Sequence, residues 1–67
     1  MNMIPVSSSN IHSIGYDNSN LYVRFNSGAT YRYINVPENL YKNLMNASSK
    51  GSYLDSYIKG AYSYQKI

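Results

Sequence analysis

Few side chains in this sequence could do chemistry, and their types are the first observation. The chain has one histidine, His12, three acids, Asp17, Glu38 and Asp55, and no cysteine. Catalysis by a positioned base needs a nucleophile and an orienting acid beside it, and a structural zinc site needs four nitrogen or sulfur ligands. We therefore expect no enzymatic activity, no bound metal and no cofactor. The sequence favours a binding protein.

The pair Lys50-Gly51 is a candidate anion-binding site. It follows two serines, as in a phosphate-binding loop. The Gly-x-x-x-x-Gly-Lys pattern of such loops is missing, so a capped helix N-terminus is the simpler interpretation. A helix N-terminus still attracts anions through its free N–H groups.

Composition sets further bounds. The chain has 67 residues, nine of them tyrosine, and a formal net charge of +3. Its length permits one domain, and its charge is a mild bias toward anionic partners. The six basic residues are spread along the chain, so only the fold can gather them. The N-terminus lacks the pattern of a signal peptide, and no apolar run reaches the roughly 20 residues of a membrane span. We expect a cytoplasmic protein that does not bind a membrane.

The first half of the chain has the period of strands. Residues 1–10 contain Pro5 and a run of serines, and we expect a lead-in loop. Residues 11–35 alternate between apolar and polar side chains and contain two clusters of turn formers, 17–20 and 26–28. This pattern predicts a meander of three antiparallel strands.

The second half has the period of helices. Pro37 and Glu38 are typical of a helix start, and Ser48-Ser49 of the cap of a second helix that Gly60 ends. Residues 36–60 are thus predicted to form a helical hairpin, and 61–67 an extended tail. The predicted fold is a single α+β domain over 1–67, in which two short helices cover one face of a three-stranded antiparallel meander.

The hairpin between the second and third strands can close in two registers, which place opposite side chains on the uncovered face. A two-residue loop would put Tyr31 and Tyr33 beside Arg24, as a stacking platform for unpaired bases. A three-residue loop would pair Phe25 with Ala29 and turn both tyrosines toward the helices, as core rings.

We favour the three-residue loop, because it is usually a type I turn followed by a left-handed residue, and Gly28 stands third. Tyr31 and Tyr33 then have a structural role. Arg24 and Arg32 share the uncovered face with Tyr22, where they either bind phosphates or keep an open sheet soluble and protected from edge pairing. The candidate nucleic-acid contacts are Tyr22, Arg24, Arg32, Lys50 and Lys59.

Several segments together resemble the KTSC family, over residues 6–64. They are SSNIHSIGYD at 8–17, LYVRF at 21–25, SGATYRY at 27–33, VP at 36–37, ASSKG at 47–51, the pair Tyr53-Leu54 and the pair Tyr57-Ile58. The family is named for a C-terminal extension of some lysyl-tRNA synthetases and also occurs as single domains in bacteria and phages. Its central Tyr-x-Tyr corresponds to Tyr31-Arg32-Tyr33.

The resemblance implies an RNA-binding role, with RNA or tRNA as partner. Our first hypothesis is therefore a small nucleic-acid-binding module that uses a weakly basic open sheet face. The alternative is a protein-interaction module, such as a phage-type factor that binds a host protein or defence component, since tyrosine is enriched at binding hot spots. A homodimer through the free sheet face or the tail is a further expectation.

Overall fold

A computed structural model describes residues 2–67 as five strands and two helices. The elements are β1 Ile4–Pro5, β2 Ile11–Asp17, β3 Asn20–Phe25, β4 Thr30–Tyr33, α1 Glu38–Asn46, α2 Lys50–Tyr57 and β5 Tyr64–Lys66. The strands form one sheet in the order β1-β2-β3-β4-β5, and every neighbouring pair is antiparallel. The α+β class and the two helices are confirmed.

The prediction of three strands was wrong, because the sheet has five. The first additional strand, β1, lies inside the segment predicted as a lead-in loop. Its two residues are too few to show an alternating pattern, and Pro5 is tolerated because β1 is an edge strand. The other, β5, is the predicted extended tail. It pairs with β4 because the helical hairpin returns the chain to that side of the sheet.

The two hairpin turns fix the register of the central strands. Between β2 and β3, Asn18 and Ser19 both have positive φ, of 51° and 65°, as a two-residue type I′ turn requires. Between β3 and β4, the Phe25 amide donates to the Ala29 carbonyl oxygen at 2.8 Å and the Gly28 amide donates to the Phe25 carbonyl oxygen at 2.9 Å. The predicted three-residue loop is therefore confirmed.

One face of the sheet carries the core. The buried residues of this face pack against buried residues of the helices and the linker. Together they form one cluster, whose members are at most 3% exposed: Ile11, Ile14, Leu21, Val23, Tyr33, Val36, Leu44, Leu54 and Ile58. Because strands and both helices contribute to it, the helices cover this face, which we call the helix-bearing face. Tyr16 joins the sheet to α1: its ring stacks on that of Tyr41 with centroids 4.9 Å apart, and its hydroxyl donates to the Val36 carbonyl oxygen at 2.5 Å.

A β-bulge in β2 adds one apolar residue to that core. Ile11 lies opposite Phe25 and Ser13 lies opposite Arg24, so His12 is an extra residue in the ladder. Without it, Ile11 and Ile14, three positions apart, would face opposite sides of the sheet. With it, both are buried on the helix-bearing face.

Both helices begin beside the residues that their sequence signals indicate, and α2 ends at Tyr57, three residues before the predicted stop at Gly60. The chain enters α1 from Pro37, and the side chain of Ser49 accepts a hydrogen bond from the Ser52 amide at the start of α2. After α2, Gly60 takes the left-handed conformation with φ 82°. Within residues 2–67, no helix has the length and apolar character needed to cross a membrane.

Candidate functional site

The second face of the sheet has no helix on it in the described part of the chain, and we call it the open face. Strand alternation and the pairing register place two neighbouring rows of side chains there. The first row consists of Ser13, Arg24 and Thr30, and the second of Gly15, Tyr22, Arg32 and Gln65.

The longest side chains of these rows are adjacent. Tyr22 lies directly opposite Arg32 and two residues before Arg24 on the same strand. On β2, Ser13 is 3% exposed and Gly15 is buried. Apart from the short side chain of Thr30, the groups of the central strands that reach solvent on this face are therefore one phenol ring and two guanidinium groups. Three of the predicted site residues are brought together here.

Arg32 is oriented by the last strand. Its Nη2 donates to Oε1 of Gln65, which lies opposite it on β5. Its Nε is buried and has no acceptor within residues 2–67. Leaving a buried donor unpaired costs about 1–3 kcal/mol, so an acceptor that reached Nε would stabilise this arrangement. Gln65 could not be predicted as part of this site, because its position depends on how β5 pairs.

The positive charge of the open face is not balanced by a nearby acid. Of the two ion pairs in residues 2–67, one is within α1, between Lys42 and Glu38 at 3.9 Å. The other joins Asp55 of α2 to Lys59, just after the end of that helix, at 3.0 Å. In the described part of the chain, neither arginine of the open face forms an ion pair with a carboxylate. An incoming anion would therefore not have to displace an internal carboxylate.

Lys50 and Lys59 do not belong to this surface. The Lys50 ammonium donates to the Ala47 carbonyl oxygen at 3.1 Å, beside the start of α2. The Lys59 ammonium lies 5.3 Å from the centroid of the Phe25 ring, which is on the helix-bearing face. The sequence could not separate these lysines from the arginines, because their placement depends on where the helices pack.

Tyr31 and Tyr33 are also on the helix-bearing face. Tyr33 is 3% exposed and belongs to the core, and Tyr31 is half-buried against it. Burial raises the pKa of the Tyr33 phenol above its ordinary value, and the phenols of Tyr31 and Tyr64 and the Asp55 carboxylate add to the shift. Neither tyrosine is available to the open face.

His12 lies at the end of the open face, where the bulge leaves it beside Ser13. The His12 Nδ1 and the Ser13 Oγ are 3.1 Å apart. Since Ser13 is 3% exposed, its hydroxyl is not accessible to a substrate as a nucleophile. Within residues 2–67, no group of three or more metal-ligating side chains converges.

Comparison with known proteins gives relatives of two kinds: long ligases of which only a small region is similar, and a short protein that is similar over nearly its whole length. The chain is 40% identical over 47 residues to a lysine–tRNA ligase of Trichormus variabilis, an alignment that covers 70% of this chain and 8% of the ligase. It is 37% identical over 70 residues to a protein of Stutzerimonas stutzeri, with 100% of this chain and 99% of that protein covered. The chain thus spans about a twelfth of the ligase and nearly the whole of the second relative.

A solved structure and a family profile agree with these alignments. The crystal structure of a KTSC domain protein from Yersinia pestis has a TM-score of 0.95 and 47% identity, and the match covers 98% of this chain and 96% of that one. The profile of the KTSC domain matches residues 7–62, which include the bulge, both hairpins and both helices. The chain belongs to the KTSC domain family.

Proposed function

We propose that this domain binds single-stranded nucleic acid, RNA in the first place, through the open face. Arg24 and Arg32 bind backbone phosphates, and Tyr22 stacks on a base. Binding of this kind requires no catalytic group and no metal. It requires cations that can exchange water for phosphate oxygens, and a ring that a base can cover.

The position of two guanidinium groups next to Tyr22 carries the proposal. Arg24 is about 7 Å from Tyr22 along the strand, and Arg32 is directly across on the neighbouring strand. Arginine presents a planar set of donors that suits phosphate oxygens, and both arginines lack a carboxylate partner. Lys42 and Lys59, by contrast, lie 3.9 and 3.0 Å from the carboxylates of Glu38 and Asp55.

The expected affinity is low and depends on salt. On a single strand, each neutralised phosphate contributes about −0.7 to the slope of log K against log salt, so two contacts give about −1.4. Stacking of one base on Tyr22 adds roughly 1–3 kcal/mol. Two phosphates and one base define a small footprint with little sequence preference.

The relatives add independent support. The region of the ligases that is similar to this chain occurs in enzymes whose name specifies tRNA. A small domain attached to such an enzyme would be useful if it held RNA. The same domain as a separate chain would keep the surface and lose the enzyme.

The test is a binding titration with a matched control. Labelled oligouridylate is titrated at about 50 mM salt, where phosphate contacts are strong. Arg24→Gln with Arg32→Gln should greatly weaken binding, while Lys42→Gln with Lys66→Gln, which removes the same charge from exposed residues elsewhere, should leave it nearly intact. Equal losses in the two double variants would mean that only net charge matters. If the wild-type protein binds no oligonucleotide, the protein-interaction alternative takes precedence.

A further inference from the structure

A pocket on the helix-bearing face is not used by the proposed function. It has a volume of about 430 Å³ and lies between the end of α2 and strands β3, β4 and β5. We call it the aromatic pocket, and its lining consists of Phe25, Tyr31, Tyr33, Lys59, Gly60 and Tyr64. Ligand sites of proteins have volumes of about 300–1,000 Å³ and are mostly apolar with a few polar groups, which fits this lining.

The four rings of the pocket are set at steep angles to one another. Tyr31 meets Phe25 at 75° and Tyr64 at 70°, each with centroids 5.7 Å apart, and Tyr33 meets Tyr64 at 41°. Two of these pairs are edge-to-face and the third is tilted, so no two rings are stacked in parallel. The walls of the pocket are thus largely aromatic, which suits a planar guest.

Tyr33 is the most deeply buried residue of the lining and carries a hydroxyl. Tyr33 is 3% exposed, yet its hydroxyl makes no hydrogen bond with any residue in 2–67. Buried tyrosine hydroxyls usually have a partner. Within residues 2–67, Arg32 Nε is the only completely buried side-chain nitrogen or oxygen that has no hydrogen-bond partner. The unpartnered Tyr33 hydroxyl is therefore not completely buried and keeps some accessible surface. Its raised pKa keeps it protonated at neutral pH, so it can donate to a guest.

Lys59 supplies a positive charge at the mouth. Its ammonium lies 5.3 Å from the Phe25 centroid and 3.0 Å from the Asp55 carboxylate, in a pair that is largely exposed. An exposed ion pair contributes little to stability, roughly 0–1 kcal/mol, so an anion can draw the ammonium away. A cationic guest would instead be repelled by it.

A second cleft continues from the same three side chains. It has a volume of about 460 Å³, shares Phe25, Tyr31 and Lys59 with the aromatic pocket, and is otherwise lined by polar loops. Its additional lining consists of Ser9, Asn10, Asn26, Ser27 and Ala29. The lysine thus lines both an aromatic chamber and a hydroxyl- and amide-lined cleft, so an anion that contacts it can be attached to a flat ring held in the first.

We propose that the aromatic pocket binds a nucleotide. The base enters among the rings and accepts a hydrogen bond from the Tyr33 hydroxyl, and the phosphate contacts the Lys59 ammonium. The same chemistry is presented by a free mononucleotide and by one nucleotide of a single strand. The pocket is on the face opposite Arg24 and Arg32, so this proposal does not depend on the open face binding nucleic acid.

The test is an NMR titration of the labelled domain with adenosine 5′-monophosphate, beside adenosine and inorganic phosphate as partial ligands. The amides of Lys59 and Gly60 and the ring protons of Tyr33 and Tyr64 should shift, and the monophosphate should bind more tightly than either part. Tyr33→Phe, which removes only the hydroxyl, should weaken binding about five-fold, as expected for one hydrogen bond. Lys59→Gln should weaken the binding of the monophosphate but not the binding of adenosine.

A control variant and an oligonucleotide ligand complete the experiment. Tyr57→Ala changes an exposed tyrosine outside the pocket and should not alter the affinity. An oligonucleotide that binds more tightly than the monophosphate, and that loses affinity in Tyr33→Phe, identifies a strand as the ligand; equal affinity identifies the free nucleotide. Shifts confined to open-face residues, or unchanged affinity in both Tyr33→Phe and Lys59→Gln, would overturn the proposal.

Discussion

Phe25 and Ala29 face each other across the second hairpin, with the Phe25 amide donating to the Ala29 carbonyl oxygen at 2.8 Å. This pair decides which face each later side chain of β4 occupies, because a shift of one residue would reverse them all. With Phe25 opposite Ala29, Tyr31 and Tyr33 pack toward the helices, and Arg32 lies beside Tyr22 on the open face. Both proposed binding surfaces follow from this register.

The turn that sets the register should be sensitive to a side chain at Gly28. Its φ of 98° is strained for any residue with a Cβ, while the space around it is open. Gly28→Ala should therefore lower the free energy of unfolding by about 1–2 kcal/mol through backbone strain alone. Gly28→Asn should cost less, because asparagine tolerates positive φ better. Urea unfolding of the two variants measures this difference; equal stability of wild type and Gly28→Ala would contradict the assigned turn.

Tyr33 should be important for stability. It is 3% exposed and contacts the buried cluster, so Tyr33→Ser should cost about 3–5 kcal/mol, as truncation of a buried ring does. The whole domain is expected to have a stability of about 3–10 kcal/mol, so this variant should be partly or fully unfolded at room temperature. Tyr57→Ser, on a side chain that is 57% exposed, should cost about 1 kcal/mol or less. Comparable melting curves for the two variants would mean that Tyr33 is not a core residue.

Alkaline pH should reveal the raised pKa of Tyr33. The folded state holds the phenol proton more tightly than the unfolded state, whose tyrosines titrate near pH 10. The contribution of this group to stability is therefore complete below about pH 10 and is lost as the pH rises toward the higher folded pKa. The unfolding free energy of the wild type minus that of Tyr33→Phe should be constant at neutral pH and should become smaller or more negative above about pH 10. Urea titrations across this range test it, and a difference that stays constant would contradict the assignment.

Much of the fold is encoded in local signals. Gly28 in third position of its loop predicts the hairpin register, and the change of period after Pro37 predicts both helices. Each signal is carried by residues close together in the chain, so no tertiary information is needed. The placement of Arg24 and Arg32 on the face without helices follows directly from that register.

The remaining features depend on contacts between distant segments. β1 has only two residues and exists because Ile4 and Pro5 pair with Ile14 and Ser13. Gln65 binds Arg32 because β5 returns beside β4, and Lys59 packs on Phe25 because α2 ends there. Lys50 and Lys59 lie apart from the arginines for this reason, and their role in nucleic-acid binding stays a prediction. The aromatic pocket, built from three strands and a helix end, could not be predicted.

The most direct test of nucleic-acid binding by the open face is the salt dependence of oligouridylate affinity between about 50 and 200 mM salt. The wild-type slope of log K against log salt should be near −1.4 if Arg24 and Arg32 each neutralise one phosphate, and it should approach zero for Arg24→Gln and Arg32→Gln combined. The single variants should each remove about half of it. A slope that is the same in the wild type and the double variant would show that these two arginines do not contact the strand.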